Sequence, residues 1–490
     1  MINFKFPIFL SIVIYFHIPV QIFASKKLGE SVVQIKVTVQ YPNFQQPWRY
    51  KNPETRYSTG IYVGENKVLV PAQAIYFFTN IEIKKKNSIK NYQTNLVKLD
   101  PDLGLALLKV KEKNFSEGLT PTLFSDKLSI PSVGYVIESN DTKVSEPKKV
   151  RIQKMEVDSY ANGYLELPIV EVQSENKLEG IGELVLDEMQ KSPQGILYNS
   201  KENGSKGGMI PNFAIRNFLD QTQNHLPFKG FKFKPLTDAH TRTFYGLSKD
   251  NEGVLIAELY PNSSADSVLK LEDVLLEVGN FKIDPKGNFE HPKFGTLDLN
   301  FLFHAGKEFG FSVGSKIQLK ILRNKKIQVL QMELKKFPTN SIRVPYGNTR
   351  FEKPKFLITG GLIFQELSEA YLVEHGTQWR NRVSKEFLYL NDYYRIKRSN
   401  EEGKIIILTH VLPLAGNKSY HSYKQMILNQ VNGEIILSLE DLKSKLKKSK
   451  NKFIKFEMND GTEMIFKSDE LSSLTKEALD SFRIPNESNF

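Results

Sequence analysis

The chain contains no cysteine among its 490 residues. This absence excludes thiol nucleophiles, thiolate metal ligands, disulfide bonds and lipid attachment through an N-terminal cysteine. The length exceeds one ordinary hydrophobic core, so about two to four domains are expected. Because no disulfide can form, packing alone must stabilise each of them.

Histidine is missing from a long stretch of the chain. The eight histidines are His17, His225, His240, His291, His304, His375, His410 and His421, and none lies between residues 18 and 224. The sequence also has no HExxH motif, no pair of histidines at helical spacing and no Lys-Ser/Thr phosphate-binding loop. It therefore predicts no metal site and no cofactor.

The positive charge of the chain is spread thinly. Lysine and arginine exceed aspartate and glutamate by 12, which favours anionic partners in general. The local clusters at Lys84–Lys86, Lys148–Arg151 and Lys443–Lys455 are not interleaved with aromatic residues in a known nucleic-acid module. A solvated basic surface is the simpler interpretation, and we expect no nucleic-acid partner.

The N-terminal residues have the pattern of an export signal. Lys5 precedes the apolar run "FPIFLSIVIYFHIPVQIFA", which ends at the small residue Ala24 before a basic patch. This pattern predicts a signal peptide over residues 1–24, cleaved near Ala24–Ser25. The alternative is an uncleaved anchor, since about 20 apolar residues span a bilayer. No later run is long and apolar enough to cross a membrane. The signal pattern predicts that the rest of the chain is exported to the periplasm or cell envelope.

The rest of the chain divides into three units. Residues 28–225 read as repeated short strands, typical of an all-β barrel or sandwich, and end in a helical stretch, "PNFAIRNFLDQTQ". Two further units are predicted at 226–336 and 345–475, and they share a weak internal repeat. The last ends in a strand pair joined by an Asn459–Asp460–Gly461 turn.

Three motifs in the first unit resemble the HtrA/Deg branch of the trypsin-like serine proteases. They are "STGIYVGENKVLVPAQAI" (Ser58–Ile75), "KLDPDLGLALLKV" (Lys98–Val110) and "GGMIPNFAIRNFL" (Gly207–Leu219). The two later units resemble the PDZ domains of that family, the last one the divergent second PDZ of the plant-type Deg branch. The resemblance implies a mainly β fold, a trypsin-like double β-barrel followed by two α+β PDZ-like domains.

The residues of the catalytic triad do not match. The histidine position falls on Gln73 and the aspartate position on Gly104, with Asp102 two residues away. In "NKLEGIGELVLD" the nucleophile position falls at about Gly180, in a loop that is a few residues shorter than usual for the family. We therefore predict a catalytically inactive protein. The rival hypothesis is an active peptidase with an unconventional nucleophile, for which Ser205 in "NGSKGG" is the candidate.

Peptide binding is the function that the PDZ resemblance implies. A PDZ groove binds an extended peptide as an added strand and captures its terminal carboxylate with backbone N–H groups. The matching residues are Gly230, Phe231, Lys232 and Phe233 in the second unit, and Gly360, Gly361, Leu362 and Ile363 in the third. Phe231 and Phe233 share one side of a strand, where they line a pocket or belong to the core. The insertion Tyr371–Val383 is a candidate cover for the third-unit groove.

The sequence thus predicts an envelope protein that binds polypeptides or protein C-termini as a scaffold, a chaperone-like holder or a regulator. A third hypothesis is a purely structural assembly protein with degenerate grooves. The family resemblance implies a homo-oligomer, commonly a trimer.

Overall fold

The structure is a computed structural model of the chain. It describes residues 28–86, 88–125, 127–139, 146–159, 164–220, 226–247, 252–304, 311–346 and 352–490. The predicted signal segment, residues 1–24, and the predicted domain boundary near residue 225 lie outside the described residues.

Six antiparallel strands close the first barrel in the order β1-β2-β3-β6-β5-β4. They are β1 (Val32–Val39), β2 (Glu54–Gly64), β3 (Lys67–Pro71), β4 (Phe78–Lys84), β5 (Asn91–Asp100) and β6 (Leu105–Val110). Side chains alternate across a strand, so Val33, Ile35 and Val37 of β1 all point into the barrel and are fully buried. Pro71, at the end of β3, pairs with Leu105 at the start of β6.

The second barrel repeats this plan in the order β10-β11-β12-β9-β8-β7. Its strands are β7 (Ser132–Ile137), β8 (Lys148–Ser159), β9 (Glu166–Gln173), β10 (Leu184–Asp187), β11 (Pro193–Lys201) and β12 (Lys206–Pro211), followed by helix α1 (Asn212–Asp220). Phe213, Ile215 and Phe218 are buried on α1, which lies within the helical stretch that the sequence predicts. Ile61 and Leu69 of the first barrel share a core with the second, so the two barrels pack face to face.

The middle unit is a five-stranded sheet in the order β14-β15-β16-β20-β21, with β17 added beside β16. Its elements are β13 (Pro227–Phe228), β14 (Phe231–Pro235), α2 (Ala239–Tyr245), β15 (Val254–Leu259), β16 (Val274–Val278), β17 (Phe281–Lys282), β18 (Asn288–His291), β19 (Gly295–Asp298), α3 (Asn300–His304), β20 (Lys316–Arg323), β21 (Lys326–Glu333) and β22 (Lys335–Lys336). No described strand pairs with the outer edge of β14.

The C-terminal unit has the same sheet with one strand more, in the order β23-β24-β25-β26-β28-β29, with β27 beside β26. Its elements are β23 (Phe356–Thr359), β24 (Leu362–Glu366), α4 (Glu369–Val373), α5 (Lys385–Tyr393), β25 (Ile406–Val411), β26 (Met426–Val431), β27 (Glu434–Ile435), α6 (Leu439–Lys448), β28 (Phe453–Met458), β29 (Glu463–Lys467) and α7 (Ser468–Phe482). Strands β24 to β29 match β14 to β21 in order, so the weak repeat in the sequence reflects a repeated sheet.

The end of the last unit differs from expectation. Helix α7 runs through residue 475, the predicted end of the last unit, because Leu474 and Ala478 are buried in its core. The insertion Tyr371–Val383 packs against Phe44 of the first barrel, with which Leu372 and Phe387 form a small core. The mainly β fold with two barrels and a following PDZ-like α+β region is confirmed.

Candidate functional site

The three positions to which the family resemblance assigns the triad lie together at the cleft between the barrels. Gln73 lies in the 3-10 turn Ala72–Ile75 directly after β3. The carbonyl of Gly104 accepts the Ala72 N–H at 2.8 Å. The Gln73 amide Nε2 donates to the Tyr198 carbonyl and reaches the Gly180 carbonyl at 3.5 Å. The fold therefore brings together the positions that the family resemblance implied.

Gly180 has a backbone that no L side chain tolerates easily. Its φ is +72°, in the left-handed region. A Cβ atom at this position would overlap the main chain of Asn199. A serine cannot occupy this position without moving the loop, because both the torsion and the space oppose a side chain.

Glu183 organises the loop around Gly180. Its carboxylate is fully buried. One oxygen, Oε1, accepts the N–H groups of Glu179 and Gly180 at 2.8 Å each, and Oε2 accepts the Ile181 N–H at 2.6 Å. Burial raises the pKa of the Glu183 carboxyl, and the hydrogen bonds from these N–H groups oppose that shift.

The two flanking N–H groups also have acceptors within the chain. Leu178 donates to the Gly204 carbonyl and Gly182 to the Leu197 carbonyl, both at 2.9 Å. Five consecutive N–H groups, from residue 178 to 182, are therefore satisfied internally. An oxyanion hole needs N–H groups aimed at the reacting oxygen, and this loop offers none of the five. The sequence analysis did not identify Glu183 as a site residue. The pattern that could have indicated it is a single acidic residue directly before the apolar run "LVL".

The acidic pair near Gly104 is partly buried. Asp100 is 8% exposed and accepts the Leu103 N–H at 2.9 Å. Burial raises its pKa to about 6. Asp102 accepts the Tyr164 N–H at 3.4 Å. Both carboxylates thus hold together the backbone beside the cleft.

The predicted peptide site of the middle unit lies at the start of β14. Gly230 has a φ of +81° and precedes the strand. Phe231 is 1% exposed and belongs to the core, whereas Lys232 is exposed and Phe233 half-buried. Lys232 lies 3.5 Å from Glu258 of β15. Of the two aromatic side chains, only Phe233 keeps surface next to the strand edge.

The predicted site of the C-terminal unit has a different environment. Gly360 and Gly361, with φ of +58° and +83°, form the turn of a hairpin that pairs β23 with β24. Leu362 and Ile363 are buried within β24. The strand edge that a peptide would join is paired with β23, so the chain itself occupies that place.

Comparisons with known proteins agree with this architecture. The family model described as "PDZ domain" matches residues 344–489. "Putative protease Do-like 13" of Arabidopsis thaliana is 23% identical over 471 residues, covering 94% of this chain and 89% of that protein. "Protease Do-like 2, chloroplastic" of Arabidopsis thaliana is 23% identical over 469 residues, covering 93% and 74%. This chain is thus similar to Do-like proteases along most of its length, and its C-terminal unit matches the PDZ domain model.

Among solved structures, "HtrA-type protease AlgW with decapeptide" is 16% identical to this chain, with a TM-score of 0.47. It covers 64% of this chain, and the match covers 97% of that structure.

Ser205, the candidate for an unconventional nucleophile, lies in a surface turn. Its hydroxyl donates to the Glu202 carbonyl at 2.9 Å. The neighbouring Lys206 ammonium pairs with the Glu202 carboxylate at 2.9 Å. Ser205 and Lys206 thus both contact Glu202, and the hydrogen bond of the serine hydroxyl stabilises the turn.

Within the described part of the chain, no helix combines the length and the apolar character that crossing a bilayer requires. In the same residues, no cluster of three or more histidine, aspartate or glutamate side chains has a geometry suited to a metal ion.

Proposed function

We propose that this HtrA/Deg-like chain is a non-proteolytic envelope protein that binds polypeptides. It binds them through the middle unit, residues 226–336, which we assign as a second PDZ-like domain. In this role it acts as a scaffold, a chaperone-like holder or a regulator. We further propose export through the N-terminal segment and assembly as a homo-oligomer.

The main support for lost proteolysis is the loop from residue 178 to 182. Its five N–H groups are bonded within the chain, three of them to Glu183. A hydrolase of this fold needs a hydroxyl, a base and free N–H donors at one point. Here the base position carries a neutral amide that is bonded to two carbonyls.

The support for peptide binding is a contrast between two matching sheets. In the C-terminal unit β23 pairs with β24, but no described strand pairs with the equivalent edge of β14. An exposed strand edge is the surface to which an extended peptide adds by main-chain hydrogen bonds. Among the described residues, the edge of β14 in the middle unit is therefore open, whereas β23 pairs with the equivalent edge of β24 in the C-terminal unit.

An active peptidase is the second candidate, because the curated relatives are named as proteases. Incubating the purified chain with unfolded casein and a fluorophosphonate probe separates the two. We expect casein to bind without being cleaved, and no serine to be labelled. Cleavage that Ser205→Ala abolishes would overturn the proposal, whereas Ser200→Ala on β11 serves as the matched control.

A further inference from the structure

The last strand of the middle-unit sheet, β21, is an exposed edge with an apolar centre. It pairs with β20 along its whole length, and no described strand pairs with its other side. Ile327 is 52% exposed and Val329 is 63% exposed. An open edge with β-branched residues at its centre is a surface to which another strand readily adds.

The hairpin turn determines which main-chain groups of β21 point outward. Asn324 and Lys325, with φ of 49° and 60°, form a two-residue turn whose flanking residues are a hydrogen-bonded pair. Hydrogen-bonded and non-hydrogen-bonded pairs alternate along antiparallel strands. The N–H and C=O groups of the odd-numbered residues from 327 to 333 therefore point away from β20. The Leu334 N–H agrees with this alternation, since it donates to the Ser315 carbonyl at 2.9 Å.

The equivalent edge of the C-terminal unit is blocked by a side chain. Its last strand is β29, and the Tyr420 hydroxyl lies against the middle residue of that strand, Ile465. The hydroxyl donates to the Ile465 carbonyl at 3.2 Å and accepts the Ile465 N–H at 3.0 Å. Among the described residues, no such cap lies on β21, so the two matching sheets differ at this edge.

We propose that β21 pairs antiparallel with β21 of a second copy of this chain, across a two-fold axis at Val329. Positions 327, 329 and 331 of each copy then exchange main-chain hydrogen bonds with positions 331, 329 and 327 of the other. The two middle units form one continuous sheet, with the exposed side chains of both copies on the same face. This proposal rests on the proposed assembly as a homo-oligomer and names a surface for it.

Charge complementarity favours a second copy in this register. With Val329 at the axis, the exposed Lys325 of one copy lies opposite the exposed Glu333 of the other, and the symmetry makes this pair occur twice. A shift by two residues in one direction places Lys325 opposite Lys335, and in the other direction opposite Gln331. Opposite charges on facing strands stabilise their pairing, whereas like charges oppose it.

The first test measures the mass of the full chain by analytical ultracentrifugation. Val329→Lys places two ammonium groups against each other at the axis, and a lysine on an edge opposes strand addition. We expect it to halve the mass of the wild-type oligomer, from dimer to monomer or, where the barrels also associate, from hexamer to trimer. Ile465→Lys is the matched control, because Ile465 is 47% exposed on the edge that Tyr420 blocks. It should leave the mass unchanged.

A charge exchange tests the register. Lys325→Glu and Glu333→Lys, made separately, each place like charges opposite each other at two points. Each should raise the dissociation constant of the paired copies about tenfold. The variant that carries both substitutions restores two opposite-charge pairs and should regain the wild-type constant, a rescue that loss of folding cannot produce.

A single introduced thiol tests the position of the axis, since the chain has no cysteine. Residues paired by hydrogen bonds across antiparallel strands have Cα atoms about 5.5 Å apart. Val329→Cys treated with a short bismaleimide should therefore join two copies covalently. Val313→Cys, at a 40% exposed valine ahead of β20, is the matched control. The two copies of position 313 lie at opposite ends of the joined sheet and should stay unlinked.

The outcomes separate this inference from the proposed function. A wild-type oligomer whose mass Val329→Lys leaves unchanged, with no cross-link at position 329, overturns the pairing of β21 and leaves the homo-oligomer standing. A wild-type chain that sediments as a monomer contradicts both. A loss of casein binding in Val329→Lys without a change of mass would assign β21 to a bound polypeptide, which also overturns the pairing of copies.

Discussion

Glu183 is a carboxylate buried in a strand region that is otherwise apolar. An ionised group in such a place needs several hydrogen bonds to remain stable. It receives three from the loop that it supports. The same three bonds hold the loop in its conformation and satisfy the N–H groups of Glu179, Gly180 and Ile181 within the chain.

Removing this carboxylate should loosen the loop. Glu183→Ala leaves three N–H groups without an acceptor, and each buried, unsatisfied donor costs about 1–3 kcal/mol. We expect the local opening free energy of residues 178–182 to fall by about 3 kcal/mol, measured by amide hydrogen exchange. Glu183→Gln, which keeps one accepting oxygen, should lose less.

The matched control for this change is Glu179→Ala in the same loop. The Glu179 side chain is 42% exposed and pairs with Lys177 at 3.0 Å. It should leave exchange at residues 178–182 unchanged. Wild-type protection in Glu183→Ala would show that other contacts hold the loop.

At the scale of elements, the hairpin of β23 and β24 is the main difference between the two matching sheets. Its turn depends on two glycines with positive φ. Asn417 locks the turn from the side, since its amide donates to the Gly360 and Leu412 carbonyls at 2.9 Å each. The Thr475 hydroxyl accepts the Gly360 N–H at 2.9 Å and attaches the turn to α7.

Gly361→Ala should destabilise this hairpin. The new Cβ would overlap the Asn417 amide, and alanine disfavours the φ of +83°. We expect a loss of about 2 kcal/mol or more, seen as a lower thermal midpoint and faster hydrogen exchange in β23.

Gly461→Ala is the appropriate comparison, because Gly461 has nearly the same φ, +85°, but a Cβ added there would meet nothing within 4 Å. It should cost about 1 kcal/mol, the torsional part alone. Equal losses in the two variants would mean that the contact with Asn417 contributes nothing.

At the scale of the whole molecule, an aromatic cluster joins the three units. Tyr164 of the second barrel stacks on Phe337 at 4.9 Å and meets Tyr346 at 4.8 Å. Phe337 packs edge-on against Phe228 of the middle unit at 4.7 Å. The Arg395 guanidinium of the C-terminal unit lies 4.0 Å from the Tyr346 ring centroid. These contacts join units that the sequence pattern predicts as separate domains.

Tyr164→Ala should weaken this coupling. Two aromatic contacts are lost, each contributing about 0.5–1.5 kcal/mol beyond burial. Calorimetry should then resolve the barrels from the later units, and small-angle scattering should give a larger radius of gyration. Tyr393→Ala, at a tyrosine that is 64% exposed, should change neither. A single unchanged transition in Tyr164→Ala would show that other contacts carry the coupling.

Much of this architecture follows from local pattern. Alternation in β1, the apolar face of α1 and the Asn459–Asp460–Gly461 turn each predict their own elements, because side-chain period and turn chemistry act within a few residues. The resemblance of the motifs to a known family also implied Gln73, Gly104 and Gly180 as one group, and the fold brings these three residues to one cleft. Those features were determined by the sequence itself.

The tertiary structure decided what those residues contact. The sequence cannot tell that Glu183 turns back to three N–H groups, that β23 fills the edge of β24, or that Glu166 meets Lys229 across 63 positions of the chain. Each depends on segments that are distant or differently oriented until the domains pack. The strands could be predicted from periodicity. The loop bonded to Glu183, the pairing of β23 with β24 and the contact of Glu166 with Lys229 exist only because packing brings specific polar groups together and burial forces them to pair.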